Sequence, residues 1–482
     1  MKMKKKTKIV EGFEGEILHP SLDIKDDILS LGFRYHAKSG KDETFVLIAD
    51  SGIVEIIHGS EYKAINEKNY FIEIGRNRRL MNINTRWSLD DLNQCVEEWE
   101  NLNVPPPNPN KLYQSVVETL KRYIELEEEI DYTLIAAWVV GTYFYPSFSA
   151  YPFIHAKAMK GSGKSQFLDL LRQLCFNAIK AHPTTASLGD TVDALRGTFL
   201  IDQADSLHHP NSGQLLNLLT DSYKKGGGKR RVTSMDKGKR DVDEFDVYGP
   251  KVFASIKELP EDLRDRCLVI RLMRSKKNFS DPNEDNDSWL QLRSSLYRFL
   301  IGNYSDVANE YILRRAVYKQ NNEIVGRPLE LWLPFETMLR RLEVGNETIA
   351  TGKKRFLSQY DYTESEIGEL EIAVIDAVLE KIGAGESIIL GPKEIAEGLE
   401  DDDFRDDQRN PNQRSVAVGW AIKKTNISSQ KCARKKGGMS YLFEKIKVER
   451  IRNAYFPTLP ASEVITPENI LENSDVGNGV GL

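Results

Sequence analysis

The 482-residue chain has few cysteines and no long apolar run. Its four cysteines lie far apart and form no C-x-x-C pair: Cys95, Cys175, Cys267 and Cys432. This spacing argues against a zinc ribbon and against a disulfide framework. No apolar segment approaches the ~20 residues that cross a bilayer, and no apolar signal region follows the basic start MKMKKKTKIVEG. We therefore expect a cytoplasmic protein without a membrane partner.

The chain as a whole also has no excess of positive charge, since its net charge is -6. The basic residues are concentrated instead in two segments. Residues 411–452 hold eleven Lys or Arg against two Glu, and residues 224–240 hold eight against a single Asp. Basic segments of this kind can bind a phosphate backbone even on an acidic protein.

Length and pattern divide the chain into several parts. Short β-rich runs predict a small N-terminal β-rich (α+β) domain over residues 1–102, and the proline-rich stretch NVPPPNPN opens a linker over 103–111. Alternating strands and helices predict an α/β core with a parallel sheet within 112–345. From 360 to 456 the predicted order is helix, strand, helix, helix and basic hairpin, as in a winged helix. We expect residues 457–482 to be a disordered tail.

The stretch FIHAKAMKGSGKSQFLDLL resembles a phosphate-binding loop without its first glycine. The usual pattern is G-x-x-x-x-G-K-[ST], and Ala158 occupies its first position. A buried strand, a glycine-rich turn and an amphipathic helix supply the required context, with Gly161 free to turn the backbone. Five residues are expected to contact ATP: Gly161, Ser162, Gly163, Lys164 and Ser165. Lys164 would reach the β- and γ-phosphates and Ser165 would bind Mg²⁺. A lysine-bearing turn before a helix is the alternative.

A carboxylate follows at a suitable place in the chain. Asp202 ends the apolar run GTFLI, thirty-eight residues after Lys164. A phosphate loop requires such a carboxylate, which we expect on the adjacent strand, to position Mg²⁺. Either element alone could belong to an ordinary core strand or turn. Together, in this order, they predict a site for ATP and Mg²⁺.

The residue after Asp202 is unusual for such a site. This position normally holds Glu, which polarises the attacking water, but here it is Gln203. An amide can hydrogen-bond a water but cannot take its proton. Three explanations remain open: Asp205 replaces the base, hydrolysis is slow, or the glutamine is a deliberate substitution.

Further motifs follow in a fixed order: the helix GQLLNLLTDSY, the hairpin KRRVTSMDKGKRDVDEFDVYG, the strand PKVFASI and the segment ELPEDLRDRCLVIRL. Over residues 110–345 this series resembles the AAA+ module of minichromosome-maintenance-like and superfamily-three-like helicases of plasmids, phages and other mobile elements. The resemblance implies a P-loop core with a helical lid. It also implies an ATP-dependent DNA helicase or translocase that forms a ring, most often a hexamer, and serves replication of a mobile genetic element.

Two other functions compete with the motor. One is an oligomeric DNA-binding platform for an origin or for loading, which binds ATP but hydrolyses it weakly, as Gln203 suggests. The other is an ATPase that acts on protein. The basic hairpin disfavours this last function, because it lacks the aromatic residue of a protein-gripping loop.

The resemblance also implies roles for four polar residues. Ser255 ends the PKVFASI strand at the place of a polar sensor, commonly Asn. Arg266 corresponds to an arginine finger, with Arg264 as the second choice, and a finger usually acts on the ATP of a neighbouring subunit. Arg327 begins the lid helix and is a candidate second sensor. Surface ion pairs are the alternative for these arginines.

Two basic surfaces are candidates for DNA binding. By resemblance, the tip of the 229–248 hairpin projects into the ring channel and grips a single strand through Lys237, Lys239 and Arg240. The stretch NQRSVAVGWAIKKTNI predicts a recognition helix, and the following basic turn predicts a wing, both suited to duplex DNA or to a protein. The residues of this second surface are Arg414, Lys423, Lys424, Arg434, Lys435 and Lys436.

Overall fold

The computed structural model describes most of the chain between residues 15 and 455. The description leaves out both ends of the chain and the following residues: 26, 37–41, 51–52, 58–60, 66–67, 73–85, 101–106, 159–160, 183, 237–238, 273–274, 276, 284–286, 322, 361–368, 401–409, 426 and 434–438. The chain divides into two compact units, Met1–Gln359 and Tyr360–Leu482. In the described part, no helix combines the length and apolarity needed to cross a membrane.

Seven strands begin the first unit: β1 (Glu16–Leu18), β2 (Leu22–Lys25), β3 (Ile28–His36), β4 (Asp42–Asp50), β5 (Ile53–Ile57), β6 (Glu61–Ile65) and β7 (Lys68–Ile72). They form an antiparallel sheet of order β2-β3-β4-β5 and a smaller sheet of order β1-β7-β6. Apolar side chains from both sheets share one core, among them Leu18, Val46 and Ile72. The predicted β-rich character is therefore present, while the boundary with the next part stays a prediction.

Three helices follow: α1 (Leu89–Glu100), α2 (Pro109–Tyr123) and α3 (Glu129–Gly141). α2 begins where the sequence favours a start, because Asn108 accepts a hydrogen bond from Lys111 N and Pro109 opens the helix. α3 is apolar on nearly every side, and eleven of its thirteen residues are buried. A helix of this kind belongs inside the core rather than on the surface.

The rest of the first unit alternates strands and helices in this order: β8 (Phe153–Ala158), α4 (Lys164–Leu174), β9 (Ile179–Lys180), α5 (Thr185–Leu195), β10 (Phe199–Ile201), α6 (Gly213–Asp221), β11 (Lys229–Asp236), β12 (Lys239–Asp246), β13 (Lys251–Ser255), α7 (Glu261–Arg264), β14 (Cys267–Leu272), α8 (Asp287–Asn321), α9 (Gly326–Arg341) and α10 (Asn346–Leu357). Five of these strands form the parallel central sheet, in the order β14-β8-β13-β10-β9. β8, β10 and β13 are almost wholly buried, as expected for a sheet covered on both faces.

The strand order corrects one expectation from the sequence. Asp202 was expected on the strand next to β8, but β13 lies between β8 and β10: Val252 is in register with both Ile154 and Leu200. The order of strands along the chain does not fix their order in a sheet, and here β13, which follows β10 in the chain, lies between β8 and β10. Since all five strands are parallel, their carboxyl ends still meet at one edge, here called the carboxyl edge. The opposite edge is the amino edge.

β11 and β12 pair outside the central sheet as the predicted hairpin, here called the basic hairpin. Eight antiparallel pairs run from Lys229 and Asp246 to Asp236 and Lys239. The pairing confirms the hairpin and places Lys239 and Arg240 in β12 rather than in the turn. Lys237 lies outside the described residues. At the base, Asp246 Oδ2 accepts a hydrogen bond of 3.1 Å from Arg196, which fixes the hairpin to the end of α5.

The second unit contains α11 (Glu369–Ile382), β15 (Ser387–Leu390), α12 (Pro392–Ala396), α13 (Pro411–Thr425), β16 (Gln430–Ala433), β17 (Met439–Glu444) and α14 (Lys445–Tyr455). Its strands form an antiparallel sheet of order β15-β17-β16, and one apolar cluster includes residues from all its helices. The predicted order of helix, strand, helix, helix and hairpin is confirmed. Arg434, Lys435, Lys436 and the tail lie outside the described residues.

Candidate functional site

Two glycines in the loop between β8 and α4 adopt left-handed backbone conformations. Gly161 and Gly163 have φ angles of +83° and +78°, which favour glycine. A Cβ built on either would have no atom within 4 Å, so backbone conformation rather than crowding requires glycine there. Ala158 is still in register with Leu272 of β14 as the last residue of a regular strand. An alanine fits this first position because Ala158 has the backbone of a strand residue, which does not require glycine.

The start of α4 presents backbone N–H groups without a capping side chain. The N-cap is Gly163, and Lys164 is the first helical residue. The first N–H groups of a helix have no partner within it and favour an anion. Phe167 and Leu171 are buried and fix the helix against the sheet, and Gln166 donates a 2.8 Å hydrogen bond to Tyr123 O. Ser165 is exposed beside Lys164, whereas Ser162 is buried.

Asp202 lies at the carboxyl edge immediately after β10. Its Oδ1 accepts a 2.9 Å hydrogen bond from Gln203 N, and its Oδ2 is 3.6 Å from Lys180 Nζ. The same Nζ is 3.5 Å from Asp169 Oδ1 on α4. Lys180 therefore links Asp202 to the helix that follows the loop. Sequence patterns could not indicate this lysine, because β9 is only two residues long.

Gln203 adopts a left-handed backbone conformation, with φ 55° and ψ 43°. A residue other than glycine pays about 1–2 kcal/mol for this conformation. The strain is located directly after Asp202, at the start of a short 3-10 helix, Ala204–His208. The Gln203 side chain is exposed. It is thus held at the carboxyl edge with its amide open to solvent.

The carboxylate of Asp205 is not available as a general base, because backbone N–H groups already bind its oxygens. Its carboxylate accepts hydrogen bonds from Ile256 N, at 3.1 and 3.2 Å, and from Lys257 N, at 2.8 Å. Desolvation raises the pKa of Asp205, but these two N–H groups and the charge of Lys164 outweigh it and hold the pKa below its ordinary value. A carboxylate with occupied oxygens and a lowered pKa is a poor proton acceptor. Asp205 instead fixes the loop after β13.

Ser255 ends β13 as expected, but its hydroxyl is fully buried and already hydrogen-bonded. Oγ donates to Lys257 O at 2.7 Å and lies 2.7 Å from His155 Nε2. Because the single hydroxyl hydrogen goes to the carbonyl, His155 must donate through Nε2. Burial lowers the pKa of His155 to about 4, so the ring is neutral near pH 7. No sequence pattern indicated this histidine, which lies in the middle of β8.

A second carboxylate, that of Glu258, lies in the loop after β13. It forms an ion pair with Lys157, near the end of β8. Burial raises the pKa of Glu258, but the hydrogen bond and the charge of Lys157, together with the charge of Arg264, outweigh this effect and lower the pKa. His208 Nε2 is 2.6 Å from the Glu258 carbonyl oxygen. These contacts, with those of Asp205, tie the β10 and β13 loops and the end of β8 together.

Arg266 lies at the amino edge, away from the glycine loop. Its carbonyl accepts a 2.8 Å hydrogen bond from Phe153 N at the start of β8. The guanidinium lies 5.2 Å from the Tyr223 ring centroid and donates to Asp262 O. Burial lowers the pKa of Arg266, and the charge of Arg327 lowers it further. Six residues of β14 separate the two edges by about 20 Å. Arg266 therefore cannot reach the glycine loop of its own chain.

The other two arginines lie close to Arg266. Arg327, the second residue of α9, pairs with Asp265 at 3.0 Å. Arg264 is the last residue of α7 and is half-buried. Sequence analysis left two roles open for Arg327, a second sensor or a surface ion pair. In a single chain Arg327 forms an ion pair, and it lies beside Arg266.

The basic residues predicted on α13 differ in exposure. Arg414 is half-buried, and Lys423 is exposed with its Nζ 5.3 Å from the ring centroid of Trp420. Lys424 belongs to the same helix, but its side chain is outside the described part. The helix therefore presents an aromatic residue together with its positive charge.

Comparisons with known proteins give only distant likenesses. No family model and no curated sequence matches the chain. The C-terminal region of NrS-1 is 12% identical, with 83% of this chain and 94% of that chain covered and a TM-score of 0.36. An MCM homolog from Methanopyrus kandleri is 10% identical, with 68% and 76% covered and a TM-score of 0.32. JCV helicase is 11% identical, with 56% and 71% covered and a TM-score of 0.22. At TM-scores below 0.5, fold and function rest on this chain's own geometry.

Proposed function

We propose that the chain is an AAA+ ATPase that acts as a DNA helicase or translocase. One observation carries the proposal: an open glycine loop, the start of α4 and the carboxylate of Asp202 all lie at the carboxyl edge of one parallel sheet. Ligands of open α/β sheets bind at the carboxyl ends of the strands. A cation, helix N–H groups and a carboxylate together suit a nucleoside triphosphate with bound Mg²⁺.

The residues at the carboxyl edge fit ATP and Mg²⁺. The space at Gly161 and Gly163 is open to a phosphate, and Lys164 supplies the positive charge. Mg²⁺ usually keeps several waters and takes one or two carboxylates together with substrate phosphates. Asp202 and the exposed Ser165 would hold it in this way. Within the described ranges, no cluster of three or more His, Cys, Asp or Glu could bind a metal alone, so the metal would bind with the phosphates.

In the proposed reaction, water would attack the γ-phosphorus of ATP while the bond from that phosphorus to the bridging oxygen of the β-phosphate breaks. ADP would leave, and the proton of the water would pass to an oxygen of the released phosphate. Bound Mg²⁺ would neutralise charge on the phosphate oxygens. Lys164 would bind the β- and γ-phosphates, and the Gln203 amide would orient the water without taking its proton. Ser255 and His155 would support the edge between β8 and β10 rather than contact the phosphate, since the Ser255 hydroxyl is buried and hydrogen-bonded.

The amino edge would complete the site of a second copy. Arg266 and Arg327 lie together there, about 20 Å from the glycine loop of their own chain. We therefore propose that both act on ATP bound by a neighbouring chain in a ring. Arg327 would have to leave Asp265, and Arg266 would have to leave Tyr223, when that neighbour docks.

DNA would be held by the basic hairpin and by the second unit. The basic hairpin is connected through residues 247–250 to β13, whose end lies beside the proposed nucleotide site. Its position suits a part that moves with hydrolysis. The order of elements in the second unit suits a winged helix.

A second function, the ATP-binding platform that hydrolyses weakly, has its own supporting observation. Gln203 cannot take a proton, and the Asp205 oxygens are occupied by Ile256 N and Lys257 N. In this case the same nucleotide site would stabilise assembly on DNA rather than drive movement.

Two measurements test the proposal: ATP affinity, and ATPase rate with and without single-stranded DNA. Lys164→Ala should abolish ATP binding, because the phosphates lose their principal cation. Lys111→Ala removes an equal charge from an exposed position on α2 and should change nothing. Unchanged affinity in folded Lys164→Ala protein would contradict the nucleotide site. Hydrolysis stimulated by DNA supports the motor, whereas low and unstimulated hydrolysis supports the platform.

A further inference from the structure

Helix α13 of the second unit has two chemically different faces. Ala417, Val418, Ala421 and Ile422 are buried in the core of the unit. The opposite face carries Val416, 59% exposed, and Trp420, 68% exposed. Lys423 is exposed one turn further along. Positions 416, 420 and 423 share one side of a helix, so the outward face is both apolar and basic.

Trp420 is exceptional among the six tryptophans of the chain. Trp87, Trp138, Trp289 and Trp332 are each at most 2% exposed, and Trp99 is half-buried. Tryptophan gains much from burial, so the protein leaves stabilisation unused by exposing this ring. Contiguous exposed apolar side chains are a feature of binding sites, and Trp420 lies one turn from the exposed Val416 on the same face.

The charge around Trp420 identifies the class of partner. Lys423 Nζ lies 5.3 Å from the ring centroid, and residues 411–452 carry eleven basic residues against two acidic ones. A purely apolar partner would have to desolvate this charge without compensation. An aromatic ring beside a cation, on a helix of a basic segment, suits nucleic acid, in which a base can stack on the ring while a phosphate contacts the cation.

We propose that Trp420 is a stacking platform for an unpaired base of single-stranded DNA, with Lys423 on the adjoining phosphate. Bases of an intact duplex offer only their edges in the grooves, so an indole cannot stack on them. The inference rests on the proposed function for the choice of DNA as partner, and it assigns α13 to a single strand instead of the duplex expected from the sequence.

Tryptophan emission and DNA affinity test the proposal in the full chain. The probes are a fluorescent fifteen-nucleotide oligo-dT and a blunt duplex of equal length. Oligo-dT should quench part of the emission of the parent protein and much less of that of Trp420→Phe, because four of the other tryptophans are buried and Trp99 is half-buried. Trp420→Ala should weaken oligo-dT binding roughly 5- to 150-fold, and Trp420→Phe should weaken it less than about 3-fold, since a ring is retained.

Two controls separate stacking from other contacts. Val416→Ala removes the other exposed apolar side chain of the same face and should leave oligo-dT affinity within about 2-fold. The series is repeated with Lys237, Lys239 and Arg240 changed to Gln, so that the basic hairpin does not mask the effect. Lys423→Gln should reduce the slope of log affinity against log salt by about 0.7.

Three results would overturn the proposal: equal quenching by duplex and oligo-dT, no quenching by either, or parental oligo-dT affinity in Trp420→Ala. A loss in Val416→Ala as large as in Trp420→Ala would indicate a protein-docking surface and would also overturn it. ATP affinity of Lys164→Ala is measured separately. Failure of the nucleotide site and failure of the stacking platform are therefore distinguishable.

Discussion

At the scale of single residues, Gln203 combines a left-handed backbone with a side chain that cannot accept a proton. Strained backbone often persists where surrounding structure holds a functional group in place. The left-handed backbone of Gln203 lies directly after β10, next to Asp202, and its side chain is exposed. The backbone at position 203 therefore has a feature typical of catalytic residues, but the glutamine amide is not basic enough to accept a proton from water.

Gln203→Glu should raise ATP turnover about 10-fold or more without tightening ATP binding, because glutamate can accept the proton of the attacking water. The two side chains have the same shape, so the backbone strain should not change. Turnover and ATP affinity are measured in parallel. Loss of activity in Asp205→Asn, together with no gain in Gln203→Glu, would show that Asp205 is the base despite its hydrogen bonds.

His155 should make the stability of the first unit depend on pH. Its pKa is about 4 in the fold and 6.5 when solvated, so the unfolded chain binds more protons between these values. The stabilisation is complete above pH 6.5 and is lost as pH falls towards 4. Lowering the pH from 7.5 to 4.5 should therefore cost about 2–3 kcal/mol of unfolding free energy through this residue.

Urea unfolding of the parent and of His155→Gln measures this cost. The glutamine cannot titrate but can still donate to Ser255. The parent should lose more stability than the variant over this pH range. Equal losses in the two proteins would contradict a neutral, buried His155.

At the scale of elements, the basic hairpin is joined by one short connection to the amino end of β13, and the carboxyl end of the same strand lies beside the proposed nucleotide site. Changing Lys237, Lys239 and Arg240 to Gln should abolish the stimulation of ATPase by single-stranded DNA. It should also reduce the salt slope of single-strand binding by about 2, or ~0.7 for each lost charge. ATPase rates and titrations at several salt concentrations measure both effects.

A matched variant changes Lys111, Lys319 and Lys354, which are exposed on other helices of the first unit. It removes the same charge and should behave as the parent does. If the hairpin variant is still stimulated by DNA to the parental level, the basic hairpin has no part in coupling.

Elements defined by local sequence were predictable, and their assembly was not. The glycine loop depends on two nearby glycines, and the basic hairpin on alternation over twenty residues, so both were predicted correctly. The insertion of β13 between β8 and β10 depends on contacts about 50 and 100 residues apart in the chain. Likewise, the partners of Lys180 and His155 come from distant segments. Predictions of their contacts would have required the strand order first.

At the scale of the whole molecule, the two edges of the central sheet carry complementary halves of the proposed site. Arg266→Ala should leave ATP binding intact but strongly reduce hydrolysis, because in the proposed assembly the guanidinium would act on the ATP of a neighbour. Mixing Arg266→Ala with Lys164→Ala should restore activity, since some interfaces then contain both Lys164 and Arg266. Turnover of the mixture is compared with the sum of the separate variants. A simple sum, in assemblies shown to mix, would contradict action across the interface.

The separation of about 20 Å between the amino edge and the carboxyl edge also has a consequence for the dependence of activity on protein concentration. A site divided between two chains works only after they meet, so turnover per molecule would rise with concentration until every chain is assembled. Dilution would stop the reaction while each chain remained folded and kept its half of the site. Abundance alone, without any effector, would then determine when the protein is active.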